Sequence, residues 1–392
     1  LAKLRGPEGF EKLLVVKRIL QHHTENKHFV DMFFAEARVA AQLSNSNVVQ
    51  IYEMGEIEGC YYISMEYVHG KSLRATIDRA SELGEKVPAI HAIQIIHRMA
   101  VGMGYAHTAE NMAGESIGII HRDLNPHNAL VSYTGEVKII DFGIAKSELA
   151  KHKTEAGTIK GKFVYMSPEQ SSAEDLDNRS DLFALGICLY ETITGENPFA
   201  KANVVLSLDA IQRKDPPPLA EFNPALAPLD PILKKAIAKD RNERYESCEE
   251  FAKNLQSLLL SDQLDGPKQS LKEYMYYLFE KRILAENKLI VETDSTSTLQ
   301  IEAMRNAARE EHQSGSHPHS FYINDSGSSA SKDNSDLQTI VSEPMSAPDH
   351  VENLQAYQHP PNGTDGYAPH LVPKATNRTR TPFLILLSTI IF

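Results

Sequence analysis

The sequence has no tryptophan, and only three of its 392 residues are cysteine. Cys60, Cys188 and Cys248 form no CxxC pair and lie far apart. That argues against a disulfide frame or a zinc site, and for buried or incidental thiols in a reducing compartment. Positive charge is also short. Forty Lys and Arg stand against 52 Asp and Glu, a formal net charge of −12. A general nucleic-acid binder carries a basic face, so nucleic acid is not an expected partner. No repeat of solenoid period is present. The chain opens at Leu1 rather than Met and shows no basic-then-apolar leader, so no signal peptide is visible and a missing N-terminus is expected. What it does have is 42% hydrophobic residues over a length that can build a two-lobed domain with extra segments.

Leu1 to about Leu260 reads as one globular unit. Leu13–Ile19 is a β-branched run suited to a strand, and Phe29–Leu43 carries apolar residues at helical spacing. Val48–Met54 and Tyr61–Tyr67 read as two strands around a turn at Gly55–Gly59. Helical patterns follow at Ala89–His107, Asp181–Thr194, Asn203–Arg213, Asp230–Lys239 and Glu249–Leu260. Strands in front and helices behind give an α+β class with a cleft between two lobes. In residues 261–292, Leu271, Tyr274, Met275 and Leu278 share one helical face, which suits packing on the globular unit or, alternatively, binding a partner. Residues 293–381 lose apolar periodicity and are rich in Ser, Asn, His, Pro and Gly, as in a disordered linker. Pro382–Phe392 is apolar and uncharged behind Lys374, Arg378 and Arg380. It is expected to begin a transmembrane helix cut off by the end of the sequence, with the basic flank on the cytoplasmic side; a sticky tail is the alternative.

The most informative stretch is His121–Gly143. It holds HRDLNPHN, a short strand-like run, and IIDFG. Asp123, Asn128 and Asp141 sit at the spacing phosphoryl transfer needs. One carboxylate can orient and deprotonate a hydroxyl, while the amide and the second carboxylate can hold Mg²⁺ against ATP phosphates. In this order and spacing the motifs resemble the eukaryotic-type protein kinase family, and within it the membrane-anchored bacterial serine/threonine kinases. The resemblance covers Leu1 to about Leu260. It implies a two-lobed fold, with a small β-rich N-lobe (1–65), a hinge (66–70) and a larger helical C-lobe (71–260).

The resemblance assigns roles residue by residue. Lys17 in LVVKR takes the place of the strand lysine that neutralises ATP phosphates, and Glu36 in FFAEARVAA is its ion-pair partner. Without the downstream motifs both would read as ordinary surface residues. ISMEYVHG resembles the hinge. Met65 is then the gatekeeper, and the Glu66 carbonyl and Val68 N–H bond the adenine edge between Val15 and Leu130, although core packing suits the apolar residues equally. Asp123 is the expected catalytic base, and Asn128 and Asp141 the Mg²⁺ ligands. Arg122 suggests control by a phosphorylated activation loop, with Thr154 and Thr158 as candidate sites. FVYMSPEQ matches the segment that anchors that loop, with Glu169 expected to pair with Arg244 and Asp181 to accept backbone N–H bonds from the catalytic loop.

Two positions depart from the pattern. Where serine/threonine kinases carry a lysine and a threonine, this chain has Asn125 and Lys162. Lys162 is expected to supply the cation near the γ-phosphate that Asn125 cannot; a solvated loop lysine is the alternative. Pro126 still favours serine/threonine over tyrosine acceptors. Only LAKLRGPEGF precedes the Lys17 strand, with no GxGxxG. Gly6 and Gly9 suit a turn between strands, and truncation at both ends is the expected account. The leading expectation is an ATP- and Mg²⁺-dependent serine/threonine protein kinase at the bacterial inner membrane, acting on protein substrates and possible as a homodimer that autophosphorylates. A cytoplasmic location is the alternative. A pseudokinase scaffold is favoured by the missing glycine loop and disfavoured by the intact Lys17, Glu36, Asp123, Asn128 and Asp141. A small-molecule phosphotransferase fits poorly with the long segment between DFG and SPE.

Overall fold

The computed structural model describes residues 1–19, 27–57, 59–111, 113–143, 163–261, 263–264, 269–290 and 385–386. The chain divides into two units, Leu1–Leu13 with Ser320–Phe392, and Leu14–His319. In the first, strand β1 (Ala2–Arg5) turns through a single 3-10 turn at Pro7–Gly9 into the start of β2 (Glu11–Arg18). Glu11 holds Lys3 and Arg5 there at 3.1 and 2.9 Å. Strand β8 (Ile385–Leu386) pairs antiparallel with β1, Lys3 facing Leu386. The rest of the expected membrane segment 382–392 lies outside the described residues, as do Thr154, Thr158 and Lys162. No helix among the described residues is long and apolar enough to cross a membrane.

The second unit begins with a β-rich lobe. β2 pairs antiparallel with β4 (Cys60–Glu66), which pairs in turn with β3 (Ile51–Ile57). Helix α1 (Lys27–Ala40) lays Val30, Phe33 and Ala37 on this sheet against Ile19 and Ile63. Gly55 lies inside β3 rather than in the turn expected from its residue type. A Cβ there would stand 3.0 Å from the Tyr62 hydroxyl, so a glycine fits the crowded register opposite Tyr62.

The helical lobe is built on α3 (Ala89–His107) and α4 (Arg179–Thr194), with α7 (Cys248–Leu259) packed across α3. In order between them come α5 (Val204–Arg213) and α6 (Asp230–Ala236). α4 is buried on nearly every face, so its sequence shows little amphipathic contrast. Its last turn closes on Gly195 in the left-handed conformation, φ 78°. Elements that the sequence pattern does not mark include β5 (Gly70–Ser72) and α2 (Leu73–Glu82), capped by Ser72 through the Ala75 N–H. β5 joins β6 (Ala129–Ser132) and β7 (Val137–Ile139) in a second sheet, order β5-β6-β7. That sheet carries the loops on either side of the catalytic motifs. A final helix, α8 (271–290), buries Leu271, Tyr274, Met275, Leu278, Phe279 and Ile283 in the same core as α3 and α4.

Candidate active site

A short hydrogen-bonded loop leads into β6 and the chain leaves β7 as DFG, so one small sheet presents both motifs side by side. Their backbones are tied twice: the Gly143 N–H donates to the His121 carbonyl at 2.9 Å, and the Ile140 N–H to the Asn128 carbonyl at 3.0 Å. Gly143 is needed for this approach. A Cβ there would stand 2.8 Å from the Asp123 Cβ and 2.9 Å from the His121 oxygen. Phe142 is buried and packs on the His121 ring at 4.7 Å.

Below the loop, Asp181 at the start of α4 accepts the His121 and Arg122 N–H groups at 2.8 and 2.9 Å, and faces His107 Nε2 at 2.8 Å. Burial works against ionising Asp181, but His107 and the backbone donors outweigh it and hold its carboxyl below the usual range. His107 is moved the other way. Burial alone would lower it, yet Cys248 and Asp181 raise it to about 10. The loop that carries Asp123 therefore sits on a buried ionic floor. Arg122 takes a left-handed conformation, φ 65°, and its carbonyl accepts from the Gln170 side chain at 2.7 Å, tying this loop to the SPEQ turn.

Asn128 Nδ2 donates to the Asp123 carboxylate at 3.1 Å and to its carbonyl at 2.9 Å. With the amide nitrogen so engaged, the atom of Asn128 able to ligate a hard cation is its oxygen. Asn125 is buried and its amide is spent inside the loop, donating to the Asp123 carbonyl and accepting from the His127 N–H. From the other lobe, Lys17 bridges Glu36 at 3.2 Å and Asp141 at 2.7 Å. Burial lowers Lys17, but Asp141 and Glu36 more than compensate and raise it above its ordinary value. Asp141, with φ 56°, keeps 41% of its side chain exposed. A carboxylate and an ammonium thus meet at one cleft, and the backbone tie from Ile140 to Asn128 keeps the amide next to the strand that leads to Asp141. These donors fit a nucleotide triphosphate with Mg²⁺.

The cavity beside them is lined by Lys17, Glu36, Ile63, Met65, Asp141 and Phe142 together with apolar residues of both lobes. Met65 lies opposite Val15 in the β2–β4 register. Val15, Glu66, Val68 and Leu130 are not among the walls of this cavity, although the β2–β4 pair and β6 carry Val15 and Leu130. The Glu66 N–H donates to the Gln50 carbonyl at 2.9 Å and its carboxylate pairs with Lys138 at 2.9 Å, while Val68 is buried.

Several partners escaped the sequence reading. Glu191 is buried in α4 and takes Arg74 and the Tyr165 hydroxyl, both at 2.6 Å. A lone acidic residue in the apolar run LGICLYETIT was the available signal, since a buried carboxylate demands a partner. The Glu169–Arg244 pair, in contrast, forms as the sequence led us to expect, closing at 2.7 and 2.9 Å fully inside the core.

The protein kinase domain model matches residues 8–256, well over half the chain. The chain belongs to the protein kinase domain family. Across 267 residues it is 43% identical to Tyrosine-protein kinase MasK of Myxococcus xanthus, covering 68% of this chain and 41% of that protein. It is 31% identical to Serine/threonine-protein kinase PrkC of Bacillus subtilis, covering 67% of this chain and 39% of PrkC. With Serine/threonine-protein kinase PknB of Mycobacterium tuberculosis the identity is 33%, over 65% of this chain and 40% of PknB. The kinase match thus spans about two fifths of the length of these relatives. The Mycobacterium tuberculosis PknI kinase domain aligns at 26% identity with a TM-score of 0.48, over 65% of this chain and 89% of that domain.

Proposed function

We propose that this kinase domain transfers the γ-phosphoryl group of ATP to serine or threonine hydroxyls of a protein substrate in bacterial signalling. The observation that carries the reading is that Lys17 is held between Glu36 and Asp141 while Asp123, held by Asn128, packs against Gly143 two residues after Asp141. Asp123 orients the acceptor hydroxyl and takes its proton. Lys17, kept in place by Glu36, neutralises the phosphates. Asn128 and Asp141 hold Mg²⁺, which supplies charge neutralisation on the transferred group when bound. Met65 backs the adenine pocket, with Val15 and Leu130 on the ring faces and the Glu66 carbonyl and Val68 N–H on its edge. Lys162 supplies the cation that Asn125 does not, and Lys162→Ala is expected to lower kcat by about tenfold or more.

The test is phosphotransfer from γ-labelled ATP with Mg²⁺ to an acceptor protein, beside Asp123→Asn. The variant should lose about 10²–10⁴-fold in rate while keeping nucleotide affinity. Equal labelling by both proteins would refute the assignment of the base. Nucleotide binding with no transfer by either protein would favour the scaffold reading. A tyrosine acceptor is the second reading. It is favoured by the 43% identity to MasK and by Asn125, whose amide is engaged within its own loop. Phosphoamino-acid analysis of the labelled acceptor decides between the two.

The uncharged run Pro382–Phe392 behind Lys374, Arg378 and Arg380 supports membrane attachment on the cytoplasmic side. Co-sedimentation with anionic vesicles, lost on deleting residues 374–392, checks it. Self-association of the kinase domain, as suits trans-phosphorylation of its own loop, is checked by the dependence of autophosphorylation rate on protein concentration.

A further inference from the structure

The kinase match ends at residue 256, yet the core does not. Helix α8 adds six apolar side chains to it, and at its far end places one carboxylate, Glu286, in a nearly buried position. Glu286 meets the Lys71 ammonium at 2.6 Å and the Tyr133 hydroxyl at 3.1 Å. Arg282 lies at 3.3 Å and His69 Nε2 at 3.7 Å. His69 belongs to the hinge Glu66–Gly70, and Lys71 is the first residue after it. Tyr133 follows β6, and its N–H donates to the His69 carbonyl at 2.9 Å. The rings continue the connection: Tyr67 stacks on His69 at 5.9 Å, His69 meets Tyr133 edge-on at 4.9 Å, and Tyr133 touches Phe279 of α8 at 6.0 Å.

Apolar packing alone explains why α8 docks, and it does not explain Glu286. Taking a carboxylate out of water costs several kcal/mol, and a well-packed aliphatic residue there would hold the helix as well or better. What a buried, multiply bonded carboxylate adds is geometric specificity, because it fixes the positions of the groups that satisfy it. The groups it meets here are His69 in the hinge, Lys71 directly after it, and Tyr133 after β6. The ordering is reinforced from the other side, since Gly70 lies so close to β6 that a Cβ would stand 2.2 Å from the Val131 carbonyl. Burial pushes Glu286 up, but the bonds from Lys71 and Tyr133 outweigh it and keep the carboxylate ionised.

We infer that Glu286 is a positioning residue for nucleotide recognition: through Lys71, Tyr133 and His69, α8 sets the hinge backbone that reads the adenine edge. This deepens the kinase reading and rests on it. The part of the nucleotide affected is then the base, while the phosphates, held by Lys17 and the metal ligands at a different part of the cleft, are not.

Isothermal titration of the 392-residue chain with two probes, ATP and inorganic tripolyphosphate, separates these contributions. Glu286→Ala and Lys71→Ala should each weaken ATP about fivefold, corresponding to ~1 kcal/mol. Tripolyphosphate affinity should not change. The double variant should be no worse than either single one, since both remove the same ion pair. Thermal unfolding run in parallel reports whether α8 still docks. Unchanged ATP affinity in the docked single variants, an equal loss for both probes, or additive losses in the double variant would each overturn the inference. Should the unaltered chain bind neither probe, the kinase reading itself fails and this one falls with it. That outcome is distinct from the other three.

Discussion

Two ion pairs in this protein use the same chemistry to opposite ends. In the cleft, Lys17 holds Glu36 and Asp141 with its side chain 36% exposed and that of Asp141 41% exposed. In the helical core, Arg244 holds Glu169 with side chains 0% and 3% exposed. The core pair is saturated. The guanidinium also donates to the carbonyls of Arg179, Ala238 and Lys239, and Glu169 accepts from Ser180. Nothing is left to offer a ligand, and breaking it strands a charge in a low-dielectric interior. The cleft pair is wet and open on one side. Its partners can be exchanged for phosphate oxygens or a cation at small cost. Burial, rather than residue type, divides the structural pair from the one at the candidate site.

The sharpest way to break that comparison is to remove one partner of each pair. Glu169→Ala should destabilise the fold by about 3–5 kcal/mol, read from chemical denaturation. The carboxyl of Glu169 is pushed up by burial, but Arg244 pulls it down further, to about 2. A depressed carboxyl contributes stability that is complete above its unfolded value near 4.5 and lost as pH falls through about 2. Stability of the unaltered protein should therefore fall across that acid window, and Glu169→Gln should lack this part of the fall. An identical acid limb in the variant would mean that other carboxylates carry it.

Lys17→Met should cost about 10²-fold in kcat/KM, ~2.7 kcal/mol of transition-state stabilisation, while leaving the unfolding midpoint nearly unmoved. A drop in stability as large as that of Glu169→Ala would erase the distinction between the pairs. The smallest effect belongs to Lys235–Glu250, a surface pair with side chains 43% and 40% exposed. Lys235→Ala should change stability by less than about 1 kcal/mol. The three substitutions together rank ion pairs by burial.

The catalytic-loop and DFG part of the candidate site was legible in the sequence because its residues are close in the chain, whereas Lys17 meets Asp141 from 124 residues away. His121 to Gly143 encodes two motifs that one three-stranded sheet keeps adjacent, and helix α3 was readable from its apolar spacing over Ala89–His107. Helix α2 was not readable. LRATIDRASE is short and polar on one face, and its packing comes from residues far away, such as Met275 against Thr76. Gly55 misled for a related reason: glycine suggests a turn, whereas here it clears space for Tyr62 across the sheet.

The sequence alone determined the family, the order of the motifs and the residue types that can hold phosphates, a metal and a proton, because motif spacing encodes local backbone geometry. The tertiary structure decided which charges would be buried. It sent Glu191 to Arg74 and Tyr165, turned Asn125 back into its own loop, and brought Glu286 to Lys71 across 215 residues of sequence. The physical reason is that the worth of a charge depends on the dielectric and the partners around it, and only the folded chain sets those.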